Sequence, residues 1–101
     1  MKISISVLQE HNYVEYKNTK NRMKYYLTSF RKIIDDIVID ITVLKSIRGG
    51  ILFVVKYYYM DIEIYNMNTK EANIINIEEV ASIIKNTLDK IIEEEINKNI
   101  S

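Results

Sequence analysis

No cysteine occurs in this chain. That absence removes disulfides, thiolate-ligated zinc, iron–sulfur clusters and thiol nucleophiles together. Proline and tryptophan are also missing, and glycine occurs only as the adjacent pair Gly49-Gly50. With so little glycine, neither a GxGxxG turn nor a phosphate-cradling loop can be built, so no nucleotide cofactor is expected. There is one histidine, His11, between Glu10 and Asn12. Nothing in the sequence brings a serine to it, so it reads as a solvated turn residue rather than as part of a catalytic triad. No apolar run approaches the length of a membrane span; the best, Ile51 to Val55, is strand-sized. The N-terminal stretch Met1 to Val7 lacks the long apolar segment of a signal peptide. Small secreted domains usually need covalent staples, so a cytoplasmic setting is expected, with no membrane partner.

Carboxylates are the remaining source of chemistry. Asp35, Asp36 and Asp40 cluster, and Asp61 and Glu63 lie two apart. A metal-dependent nuclease would pair such acids with a nearby lysine. No lysine follows Glu63 at a useful spacing, and Lys56 precedes the pair. The acids therefore read as a junction between elements and as charge protecting an edge strand. Glu93-Glu94-Glu95 reads as a solvated helix face. No metal site and no catalytic residue are assigned, and the chain is expected not to be an enzyme.

What is present is an excess of four residue types. Ile, Lys, Asn and Tyr number 20, 11, 10 and 8 of 101. All four use A/T-rich codons, which points to a low-GC genome of a bacterium, phage or mobile element. Net charge is zero overall. It is split, because residues 1–34 carry +5 and residues 35–101 carry −5. Such asymmetry marks a nucleic-acid or partner surface, or lets two copies pair head to tail.

The length suits a single domain over residues 1–101. Ile3, Ile5 and Val7 alternate as in a strand, and Tyr13 to Tyr16 reads as its return. Met23, Tyr26, Leu27, Phe30, Ile33, Ile34 and Ile37 recur at helical spacing, which predicts a helix over 20–35. Ile37 to Leu44 alternates in β-branched residues, and the two glycines predict a hairpin into Ile51 to Val55. A single strand from there to Asn66 would be too long for the domain, so a bend near Tyr57 to Asp61 is expected, then a strand at Ile62 to Tyr65. Residues 66–73 read as a loop. Asn76 and Glu79 resemble a capping box opening an amphipathic helix to about Asn97. The expected fold is α+β, an antiparallel sheet of about four to five strands with two helices packed on one face, in the order β(β)-α-β-β-β-α.

That pattern leaves apolar side chains over. Val38, Leu44 and Tyr58 would crowd the uncovered sheet face, which argues for a partner. Tyr57-Tyr58-Tyr59-Met60 is the most unusual local run, and tyrosine and methionine are enriched at interfaces. These four residues are the candidate protein-binding site. The expected function is a small non-enzymatic protein-binding domain acting by occlusion, of the phage- or mobile-element-encoded inhibitor, antitoxin or immunity type, with homodimerisation compatible. The alternative is a nucleic-acid-binding protein. Lys17, Lys20, Arg22, Lys24, Arg31 and Lys32 fall in a stretch without any acid, beside Tyr25 and Tyr26, and could grip phosphates while the rings stack on bases.

Overall fold

The computed structural model describes residues 2–69 and 73–100. The elements are α1 (Ile5–Glu10), β1 (Val14–Tyr16), β2 (Tyr26–Ile34), β3 (Ile37–Lys45), β4 (Ile51–Tyr59), β5 (Ile62–Thr69) and α2 (Ile74–Ile100). The strands form one antiparallel meander in the spatial order β1-β2-β3-β4-β5. The α+β class and the antiparallel sheet agree with the sequence reading. The helix placement does not: the helices are the short α1 at the N-terminal end and the long α2, and no helix covers 20–35.

Residues 20–35, read as a helix, form a loop and then β2. The misleading spacing has a plain cause. Leu27, Ser29, Arg31 and Ile33 face one side of the sheet and Thr28, Phe30, Lys32 and Ile34 the other, so apolar residues on both faces mimic a helical stripe. The chain reverses after Ile34 because Asp35 and Asp36 both take positive φ, 50° and 67°. That is the mirrored two-residue turn that matches strand twist, and it sets Ile34 against Ile37 and Phe30 against Ile41.

The first segment also differs. Ile3, Val7 and Leu8 are buried while Ile5 is half-buried, a helical spacing that the alternation Ile3-Ile5-Val7 conceals. Ser4 caps α1, its Oγ accepting from the Val7 amide at 3.2 Å. At the other end of the chain Asn73, not Asn76, caps α2; its Oδ1 accepts from the Asn76 amide at 2.8 Å. Residues 66–69, read as a loop, complete β5, and residues 70–72 of that segment lie outside the described residues.

Register defines two faces. Phe30, Ile41, Val55 and Met67 lie in one row across the inner face, and Lys32, Ile39, Tyr57 and Tyr65 in the next. The core gathers Phe30, Ile39, Ile41, Val43, Val55 and Tyr57 from the sheet with Leu8 from α1 and Ile77 and Ala81 from α2. Helix α2 is tied to the sheet by the Tyr57 hydroxyl, which donates to the Ile77 carbonyl at 2.7 Å, and by Lys32 to Glu78 at 3.0 Å. Further along, Lys85 reaches Asp36 at 3.4 Å and lies over the Tyr59 ring. From there the helix outruns the sheet. Fifteen more residues at 1.5 Å each carry it about 22 Å past this point, and every described side chain from Asp89 to Asn99 is exposed. The molecule is accordingly elongated, 58 × 29 × 22 Å.

The expected bend near Tyr57 to Asp61 is present. β4 and β5 meet at Met60-Asp61, with φ of 51° and 65°, and the register shifts between Tyr57 and Tyr58. Both turn residues sit where glycine and asparagine are favoured, and neither is one. The double substitution Met60→Asn with Asp61→Gly is expected to stabilise the protein by about 1 kcal/mol, raising Tm by ~4–8 °C in a thermal melt. An unchanged or lower Tm would show that Met60 makes a compensating contact.

Candidate protein-binding surface

The four residues singled out by sequence separate. Tyr57 is fully buried on the inner face, so it belongs to the core and not to a surface. Burial and the nearby Tyr65 push its phenol well above the usual tyrosine range. Tyr58 points to the opposite face, half-buried, paired across the ladder with Glu63. Tyr59 returns to the inner side under the Lys85 ammonium, 5.5 Å from its ring centre. Met60 stands at the tip of the hairpin and is 76% exposed.

Met60 has apolar neighbours that the sequence pattern did not mark as surface. Ile62 is 66% exposed and lies opposite Tyr59. Ile64 occupies the register shift, and Tyr65 is 47% exposed. All three lie on β5, the last strand of the sheet, whose outer edge pairs with no other strand among the described residues. From Ile62 to Thr69 this edge carries one charge, Glu63, and neither lysine nor proline. Edge strands are normally shielded by such residues because their free amides and carbonyls template pairing with another chain. Here Glu63 and the irregularity at Ile64 are the only shields in view. The bend was expected from the length of the run, but Met60-Asp61 carries no glycine or asparagine, so the sequence did not mark these two residues as the hairpin tip.

The outer sheet face differs in character. Arg31, Asp40, Lys56 and Asn66 form one row across it. Asp40 is buried, its Oδ2 accepting from the Tyr16 hydroxyl and from the Arg31 guanidinium at 3.5 Å. Tyr16 is pushed up to about 12, mainly by burial and then by its hydrogen bond to Asp40. Beside them the Asn18 amide donates to the Tyr26 hydroxyl at 2.8 Å, which shares a hydrogen bond with Ser29 at 2.6 Å. This network anchors the 17–25 loop over the face that was expected to lie bare. Val38, Leu44 and Tyr58 are consequently half-buried. The polar cavity that remains, about 520 Å³, is lined in part by Tyr16, Lys20, Asp40, Lys56 and Tyr58.

The six cations of the alternative reading are also divided. Arg31 and Lys32 are consecutive strand residues on opposite faces, and each meets a carboxylate, Asp40 and Glu78. Lys17 turns back on the Leu27 carbonyl and the Tyr26 ring. Arg22 donates to the Thr19 carbonyl at 3.0 Å, and Lys24 lies over Tyr25. Only Lys17, Lys20, Arg22 and Lys24 share one exposed segment, the loop. His11 closes α1, its amide donating to the Val7 carbonyl at 3.0 Å. Among the described residues, no three of His, Asp and Glu are placed to hold a metal ion, and no helix is long and apolar enough to cross a membrane. Comparison with known proteins returns no match: no family model fits the chain, and no curated protein or solved structure is significantly similar to it.

Proposed function

We propose that this chain is a non-enzymatic protein-binding domain whose β4–β5 hairpin seats a partner protein and acts by occluding part of that partner's surface, as an inhibitor does. The observation that carries the reading is the exposed apolar tip, Met60 with Ile62, at the head of an edge strand shielded only by Glu63 and the irregularity at Ile64. A strand of the partner adds to β5 through main-chain hydrogen bonds, and the tip side chains supply the apolar anchors. Burying one such side chain contributes about 1.5–3 kcal/mol. Met60 adopts left-handed backbone where asparagine or glycine would be easier, which is the kind of strain that accumulates at functional positions.

The test is affinity capture from the lysate of a low-GC host, at low and high salt, with and without nuclease. A stoichiometric protein retained through high salt and nuclease is expected. Changing Met60 and Ile62 to Asp should then weaken binding of the purified partner about 100-fold or more, ~3 kcal/mol. Unaltered affinity in that variant would end the reading. The second reading keeps one supporting observation, the cationic 17–25 loop with Tyr25 42% exposed. It predicts captured material that leaves with salt or nuclease and is lost when Lys20, Arg22 and Lys24 become Glu.

A further inference from the structure

Two surfaces at opposite ends of the molecule are complementary in charge, and each has an apolar centre. One is the overhanging end of α2. Leu88, Ile91, Ile92 and Ile96 continue the stripe that Ile77, Ala81 and Ile84 bury against the sheet, and the three isoleucines are 52%, 44% and 52% exposed. A helix keeps an apolar stripe in water only where something covers it. Asp89, Glu93, Glu94 and Glu95 outnumber Lys90 and Lys98 along this stretch, so it is net acidic, although Glu95 pairs with Lys98 at 3.5 Å.

The other surface is a groove of about 330 Å³ at the Gly49-Gly50 end of the sheet. Its apolar lining includes Met23, Tyr25, Leu52 and Ile47, the last 84% exposed. Its charged residues are Lys24, Lys45 and Arg48, with no carboxylate among the lining side chains. Strand β3 runs nine residues from the Asp36 turn, where α2 leaves the sheet, to Lys45 at the groove. At ~3.3 Å per residue the two ends lie about 30 Å apart, too far for the helix end to fold back on its own groove.

We propose that the occupant of the groove is the α2 end of a second copy of this chain. The two surfaces carry opposite charge and each exposes an apolar centre. Because they sit at opposite ends of an elongated molecule, two copies laid side by side and antiparallel place each helix end in the other's groove. Two identical contacts then close a two-fold dimer, with no open end to propagate a filament. The overhanging isoleucines lose their exposure, and Lys24, Lys45 and Arg48 of each groove meet the acidic helix end of the other copy. Neither surface includes Met60 or Ile62.

Sedimentation of the full chain at around 100 µM is expected to give twice the 12.0 kDa chain mass. The dimer should weaken as salt screens the contact. The variant K24E/K45E/R48E and the variant E93K/E94K/E95K should each be monomeric, with dimer Kd raised at least ~10-fold. Each then has two like-charged surfaces. Mixed in equal amounts they should form a heterodimer, since both contacts of the mixed pair recover opposite charge. All six positions are exposed, so circular dichroism is expected to be unchanged. A monomeric wild type, a dimer indifferent to both reversals, or no heterodimer on mixing would overturn the proposal. A dimer lost in the Met60 and Ile62 variant instead would overturn it too, and would assign self-association to the hairpin tip.

Discussion

Replacing Phe30 with alanine should remove ~3–5 kcal/mol of stability, while replacing Ile33 with alanine should cost no more than ~0.5 kcal/mol. Phe30 is fully buried on β2, at one end of the row it shares with Ile41, Val55 and Met67. Truncating it loses the transfer free energy of the ring and leaves a cavity that paired strands on both sides cannot close. Ile33 is 64% exposed on the opposite face. The contrast tests the architecture itself. In a helix over 20–35 the two residues, three apart, would share a face and both would be costly. In β2 their odd separation puts them on opposite faces, and only one is. Urea unfolding curves for the two variants measure this as a fall in midpoint at constant slope. A domain of this length has ~5–15 kcal/mol to lose, so F30A should be partly unfolded at 37 °C.

Raising the pH above 10 should unfold the protein over a narrow range. Tyr13, Tyr16 and Tyr57 all have phenol pKa values raised above the ordinary tyrosine value of 10.0, with burial the leading cause in each. The folded state therefore holds these protons more tightly than the unfolded chain. The contribution to stability is fully present below pH 10 and is lost as pH rises through the folded values, the first being Tyr16 at about 12. Each of the two buried phenols, Tyr13 and Tyr57, lowers unfolding free energy by about 1.4 kcal/mol per pH unit in that window, while the part-exposed Tyr16 contributes less because solvent screens it. Phenolate absorbance from these rings should appear together with loss of circular dichroism. Ionisation of all three with the fold intact would contradict their burial. The paired controls are Tyr57→Phe, which deletes the hydrogen bond to the Ile77 carbonyl, and Tyr13→Phe, which deletes a buried hydroxyl that has no partner among the described residues. The first should cost ~1 kcal/mol, and the second should be near neutral.

Both predictions rest on positions whose roles the sequence showed unequally. Gly49-Gly50 announced its hairpin because few other residues accept φ of 89° and 82°. Ile37 to Val43 announced β3 by strict alternation, and α2 was legible because its apolar positions recur over many turns. Phe30 and Ile33 were misassigned because a strand buried or partly covered on both faces loses its alternation and imitates a helix. The bend near Tyr57 to Asp61 was legible from the length of the run, but its place at Met60-Asp61 was not, because methionine normally avoids left-handed backbone.

The candidate site followed the same division. Met60 was singled out by composition, yet Tyr57, in the same run, is the most deeply buried of the tyrosines there. Sequence order alone could not say which of three consecutive aromatic rings faced the core, since that depends on the register β4 shares with β3 and β5. Likewise Arg31 and Lys32 counted as one basic cluster until pairing sent them to opposite faces.

The sequence by itself determined the local features: one glycine hairpin, a β-branched central strand, a long amphipathic C-terminal helix and a chain polarised between basic and acidic halves. Each is set by side chains acting on their own backbone or by charge, which needs no long-range contact. The tertiary structure alone decided that residues 26–34 are a strand, that β5 is an edge strand of the sheet among the described residues, and that α2 outruns the sheet that covers its first half. Those outcomes depend on which strands pair and in what register, a choice made by burial between segments far apart in the chain.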